Sequence, residues 1–132
     1  MSKTEMVRFV TALALPAVLL VATASRATTV SLFADDATLT AGGKTYSGKD
    51  QIRAYWQAAG PFRPENQWVA YTPAFRIRYA VDGKNARLYF ECLYVDKRAI
   101  QIAAHTNSED TLVRSNGKWL IKTMKASSVP EP

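Results

Sequence analysis

"FRIRYAVDGKNARLYFECLYV", Phe75 to Val95, decides the fold. Phe75, Ile77, Tyr79 and Val81 alternate with Arg76, Arg78 and Ala80, a period of two that predicts a strand with one face turned to a core. "DGKN" then supplies turn chemistry, and the apolar run "ARLYFECLYV" follows, so the stretch reads as a β-hairpin. Cys92 lies inside that run and reads as a small buried hydrophobe rather than a nucleophile.

Downstream of the hairpin, a third strand is expected from Ile100 to about Thr106. It is expected to continue through Asp110 to Arg114 after an irregularity at "TNSE", where Asn107 and Ser108 are poor strand formers. "SNGK" turns the chain into the last strand, "WLIKTMKA". Strand-like sequence begins upstream at Trp68. Before it, "SGKDQIRAYWQAAG" has Ser47 as N-cap with Asp50 three residues on, apolar residues Ile52, Tyr55, Trp56 and Ala59 at helical spacing, and a Gly60-Pro61 stop. "TTVSLFADDATL" reads as a short helical turn closed by Asp35 and Asp36, with a short strand over Ala37 to Thr40. That order predicts an α+β domain in which N-terminal helices pack on one face of a curved antiparallel β-sheet.

A chain of 132 residues with 48% hydrophobic content fits one domain and one core. The net charge of +6 comes from scattered residues with no basic run interleaved with aromatics, so no nucleic-acid partner is expected. One His and one Cys cannot furnish a zinc ligand set, and no metal is expected. "AGGKTYSG" lacks the glycine-to-lysine spacing of a phosphate loop, and no Ser-His-Asp arrangement is suggested. Residues 1–29 form an N-terminal apolar segment with two readings. Lys3 and Arg8 before an uncharged run from Phe9 to Ala24, with Ala22-Thr23-Ala24 as a small-x-small site, suit an export signal, which favours a periplasmic or secreted location; a buried first helix is the other reading. The run is short and holds Pro16, so no stable membrane span is expected. The domain proper is placed at 30–127, with a loose tail at 128–132.

"LFADDATLT", "GGKTYSGKDQIRAYW" and "DTLVRSNGKWLIKTMKASS" together resemble the SnoaL-like branch of the nuclear-transport-factor-2-like superfamily over roughly Val30 to Ser127. The resemblance implies a cone-shaped α+β fold, a small hydrophobic molecule bound in the cone as in polyketide cyclases and ketosteroid isomerases, and a homodimer. It also implies that the Asp of "DTLVR", Asp110, faces the concave side. The sequence departs from the family pattern twice. The usual charged, amphipathic first helix is replaced by the uncharged run from Phe9 to Ala24, and "NQWVAYTP" lacks the His that dehydratase-type members carry near the start of the first long strand.

The candidate chemistry is cofactor-free acid/base catalysis, as in an isomerase, cyclase or dehydratase. Asp110 is the base, His105 the proton shuttle, and Tyr71 or Tyr94 the donor to a developing oxyanion. His105 and Asp110 are five apart, an odd separation that sets them on opposite faces of an unbroken strand, so their pairing requires a bulge at Thr106 to Glu109. Tyr55, Trp56, Trp68, Phe90 and Trp119 are the candidate ligand-lining residues, with core filling as the alternative role for each. Asp35 and Asp36 are read as capping and turn residues. The competing function is a non-catalytic ligand-binding or dimerisation module.

Overall fold

The alternation over Phe75 to Val95 folds as the expected hairpin in a computed structural model of the chain, which describes residues 29–58, 68–71, 74–96 and 101–130, the stretch 68–71 by its backbone alone. The elements are β1 (Phe33–Ala41), β2 (Lys44–Ser47), α1 (Gly48–Ala58), β3 (Trp68–Tyr71), β4 (Phe75–Asp82), β5 (Asn85–Asp96), β6 (Ile102–Ser115) and β7 (Lys118–Ser128). They build one curved, unclosed sheet in the order β2-β1-β7-β6-β5-β3, and β4 also pairs with β5. Because β6 occupies the other side of β5, β3 and β4 are successive halves of one edge.

Turn chemistry fixes the two long hairpins. Asn116 and Gly117 both take positive φ (49° and 75°), the geometry that a two-residue turn between twisted strands demands and that Asn-Gly supplies at least cost. In the β4–β5 turn, Gly83 provides the positive φ.

The structure departs from the sequence reading in four places. Strand β6 is continuous, and its pairing with β5 runs unbroken from Asn85↔Val113 to Tyr94↔Ala104, so the irregularity expected at Thr106 to Glu109 does not form. Ladder hydrogen bonds on both sides of β6 outweigh the weak strand propensity of Asn107 and Ser108. The short strand expected from Ala37 instead starts at Phe33 and carries Asp35 and Asp36 within it. It pairs with β7 in parallel, so the sheet is antiparallel except at this one junction. The tail is held further than expected, since β7 runs to Ser128 and the Val129 N–H donates to the His105 carbonyl at 2.8 Å. The N-terminal segment, and with it the first helix or signal read there, lies outside the described residues up to residue 28.

Two irregularities face each other at the β1–β7 junction. Between Phe33↔Ile121 and Thr38↔Thr123, β1 advances five residues while β7 advances two. Opposite β6, Thr111↔Thr123 is followed by Leu112↔Ile121, which leaves Lys122 as the extra residue of a bulge. The β1 irregularity turns Asp35 and Asp36 outward while Ala34 and Ala37 remain buried, and the Lys122 ammonium reaches Asp36. The bulge also lets Ile121 and Met124, three residues apart, point to the same side.

That side is the core. Ala86, Leu88, Phe90, Cys92 and Tyr94 of β5 share it with Leu112 of β6, Phe33 and Leu39 of β1, and Ile52 and Trp56 of α1. The helix starts with a cap slightly different from the expected one, because the Ser47 N–H donates to Gln51 Oε1 (2.8 Å) while Asp50 pairs with Arg53. Phe33 is fully buried where the sheet changes from antiparallel to parallel. Phe33→Ala is expected to cost about 3–5 kcal/mol in urea unfolding, because the cavity opens where a register break limits collapse.

Candidate functional site

The register decides which polar groups can meet. Residues directly opposite one another in an antiparallel ladder share a face, so Leu88↔Asp110↔Met124 and Phe90↔Ser108↔Ala126 place Asp110 and Ser108 on the core side. Leu93↔His105 and Glu91↔Asn107 place His105 and Glu91 on the outer side. The expected His105–Asp110 pair therefore does not form: with no bulge between them, the odd separation leaves the sheet between the two side chains.

Asp110 is 3% exposed and, among the described residues, is the one buried charged group on the core side. The Ser108 hydroxyl, two residues back on the same face, donates to Asp110 Oδ1 at 2.6 Å. Oδ2 is sealed from solvent and has no hydrogen-bond partner. Burial pushes the carboxyl up to about 7, while the Ser108 hydrogen bond pulls the other way. A carboxyl in this state gives up or takes a proton near neutral pH, and its unsatisfied oxygen points at no protein partner.

The remaining sequence candidates are dispersed. Phe90 lies beside this pair, directly across from Ser108. Tyr94 is buried on the same face, but it is six residues along β5 from Leu88, the partner of Asp110, or roughly 20 Å along the strand. Trp56 is buried in the core from α1. Tyr55 is half-buried and packs on Tyr46 (ring centroids 4.8 Å apart), which places it at the α1–β2 contact rather than by Asp110. Desolvation first, then Tyr46, raises the Tyr55 phenol above its usual range. Trp119 is partly buried at the far end of the sheet with the Arg114 guanidinium 6.0 Å from its ring. The side chains of Trp68 and Tyr71 lie outside the described residues; by backbone register Tyr71 pairs with Tyr94. Burial pushes the Cys92 thiol up to about 11, as suits a core residue.

His105 belongs to a separate cluster on the outer side. Its Nε2 stands 3.7 Å from Glu91 Oε1, within ion-pair range but too long for a hydrogen bond, and its ring stacks on Phe75 at 5.7 Å. Glu91 accepts from the Tyr89 hydroxyl (3.0 Å) and lies 3.2 Å from Arg76 Nη1. Arg76 reaches it from a bulge in β4 and itself takes φ 48°, a left-handed conformation that is costly for a residue with a side chain. Sequence reasoning missed Glu91, although a single acid at an outward position of "RLYFECLYV" was the available signal. A shallow trough also crosses the outer side, lined by Arg78, Arg87, Tyr89, Glu109, Thr111 and Lys125. Among the described residues no group of three or more His, Cys, Asp or Glu could hold a metal ion, and no helix is long and apolar enough to cross a membrane.

The profile of the SnoaL-like domain matches residues 5–125. The chain belongs to the SnoaL-like family. Solved structures agree on the fold. An NTF2-like protein with a cystatin-like fold from Novosphingobium aromaticivorans superposes on this SnoaL-like chain with a TM-score of 0.76 at 12% identity, covering 98% of this chain and 83% of that one. A protein from the same organism described as a scytalone dehydratase gives 0.67 at 14% identity, covering 96% and 82%. A type 2 hexachlorocyclohexane dehydrochlorinase gives 0.62 at 15% identity, covering 85% and 78%. No curated protein matches the SnoaL-like chain.

The buried carboxyl sets a pH dependence. In the unfolded chain Asp110 ionises near pH 4, and in the folded chain near 7, so between these values the folded state holds a proton that the unfolded state has lost. Stability therefore falls as pH rises through that window, by roughly 4 kcal/mol for a shift from 3.8 to about 7. Asp110→Asn is expected to be more stable than the natural chain at pH 8.5 and to lose that advantage by pH 4.5, as read by urea unfolding at the two pH values.

Proposed function

We propose that this chain binds a small hydrophobic molecule against the core side of its sheet and moves a proton on it, with Asp110 as general base. The carrying observation is Asp110 Oδ2: a buried, unpartnered carboxylate oxygen bordered in register by Leu88 and Met124. An apolar surround that raises the carboxyl to about 7 gives a base matched to neutral pH, strong enough to accept a proton from carbon next to a carbonyl and still able to return it. The names of two structural neighbours, a dehydratase and a dehydrochlorinase, denote eliminations, reactions in which loss of a proton accompanies loss of a leaving group. Phe90 supplies apolar wall next to Ser108, and Tyr94 serves the far end of the ligand rather than the reacting atom. His105 has no part in this scheme, because it stands behind the sheet.

A second copy of the chain is proposed as the partner of the outer side. The trough there sets Glu109 among Arg78, Arg87 and Lys125, so a twofold-related copy can place each Glu109 against the other's cations.

Two measurements test these readings. In a thermal-shift series with steroids, aromatic polyketides, terpene epoxides and fatty acids, a ligand held at about 100 times its dissociation constant adds about 2.7 kcal/mol and should raise the midpoint by several degrees. A ligand so found should be turned over by the natural chain, while Asp110→Asn is expected to bind it and lose at least about a hundredfold in kcat. No shift with any compound removes the binding reading. Sedimentation equilibrium should show a dimer that Arg87→Glu weakens.

A further inference from the structure

This inference rests on the reading of Asp110 as the interior base and deepens it. On β6, Ser108 and Asp110 alternate onto one face, and each is 3% exposed. The Ser108 hydroxyl is spent on Asp110 Oδ1 at 2.6 Å, so the two carboxylate oxygens are not equivalent: one is held and the other, Oδ2, is unpartnered. The backbone of both residues is locked in paired strand on two sides, through Phe90↔Ser108↔Ala126 and Leu88↔Asp110↔Met124, so neither residue can shift along the strand or change face without breaking the ladder. No cation shares this face as a buried residue among those described; the Glu91–Arg76–His105 cluster lies across the sheet.

We propose that Ser108 is a positioning residue that makes Asp110 a one-oxygen acceptor, and that the interior takes uncharged ligands presenting a single hydrogen-bond donor, or one acidic C–H beside a carbonyl, to Oδ2. A guanidinium or amidinium, which prefers to bridge both oxygens, finds one of them occupied. A carboxylate or phosphate ester would bring a second negative charge into an apolar site beside the ionised Asp110, with no buried cation among the described residues to offset either. A hydroxyl, or a carbon acid polarised by its own carbonyl, satisfies Oδ2 without adding charge. Proton transfer from the carbon acid then balances within the pair: the C–H bond breaks, Oδ2 gains the proton, and the electron pair moves onto the ligand's own carbonyl oxygen as an enolate. Oδ1 keeps its hydrogen bond from Ser108, whereas a hydroxyl is bound without transfer.

The test needs no known substrate. In the full chain labelled with 13C at aspartate, the Asp110 13Cγ resonance is titrated from pH 4 to 10 in the natural protein, Ser108→Ala and Ser108→Thr. A hydrogen bond to a charged group is worth about 1.5–3 kcal/mol, so Ser108→Ala should move the Asp110 midpoint upward by about one pH unit or more, and Ser108→Thr should bring it back. An unchanged midpoint in a folded Ser108→Ala overturns the positioning role. If the alanine variant does not fold, Ser108→Cys, nearly isosteric with a weaker donor, gives the same comparison. Cyclohexanol and cyclohexanecarboxylate, alike in shape, are then added at pH 8.5. The alcohol should perturb the Asp110 signal at a concentration at which the carboxylate does not, and Asp110→Asn, followed through the Met124 methyl signal, should abolish that difference. Equal binding of the two by the natural protein overturns the ligand class. If neither binds while the titration shifts as expected, the ligand class falls together with the proposed function, and the positioning role alone stands.

Discussion

The ten consecutive pairs that join β5 to β6 are the constraint on which the rest of the molecule depends. A strand has only two faces, and an unbroken ladder carries the choice of face without error along its length. Once Leu88 and Phe90 turn toward the core, Asp110 and Ser108 must follow them, while Glu91 and His105 must go the other way. Among the described residues, the division of labour between an interior with one acid and an outer face with mixed charges is thus a matter of parity. A one-residue slip would exchange the two sets.

Parity alone would leave the interior acid intolerable, since an ionised carboxylate without a partner in an apolar surround is strongly disfavoured. The protein answers in two ways. Ser108 satisfies one oxygen, and the carboxyl holds its proton up to about pH 7, which removes the charge below neutral pH. The outer cluster solves the same problem differently, surrounding Glu91 with a hydroxyl donor and a guanidinium, at the cost of a left-handed backbone at Arg76. The outer acid has a guanidinium within ion-pair range of its second oxygen, 3.2 Å away; the second oxygen of the interior acid has no charged side chain beside it among the described residues. That contrast is why Asp110, rather than the more conspicuous His105–Glu91 pair, is the centre of the functional reading.

Much of this was legible in the residues. The hairpins followed from alternation and from "DGKN" and "SNGK", α1 from its apolar spacing, and the inward face of Asp110 from the family resemblance of the "DTLVR" segment. Three features were not. The continuity of β6 was hidden because Asn107 and Ser108 are poor strand formers by themselves and are held by neighbours on both sides. The start of β1 was hidden because Asp35 and Asp36 look like turn residues, whereas they occupy an irregularity where Lys49 and Lys122 meet them. The pairing of Ile121 with Met124 on one face defeats simple alternation, because the bulged Lys122 resets the phase between them. Ser108 itself was read only as a weak strand residue; its partner is two positions away, a spacing that becomes meaningful only once the strand is known to be straight.

The parallel contact of β1 with β7 has a consequence for how the chain comes to be folded. It joins residues near 40 to residues near 125, so the loop it closes spans most of the domain, and such non-local pairings form slowly. On a ribosome β1 emerges well before its neighbour β7. Until then β1 has β2 along one edge and α1 across its face, and its other edge has hydrogen-bonding groups waiting for a strand that has not yet been made. Completion of the sheet is therefore tied to synthesis of β7, and a chain halted or nicked before it presents an open edge ready to pair with the wrong partner.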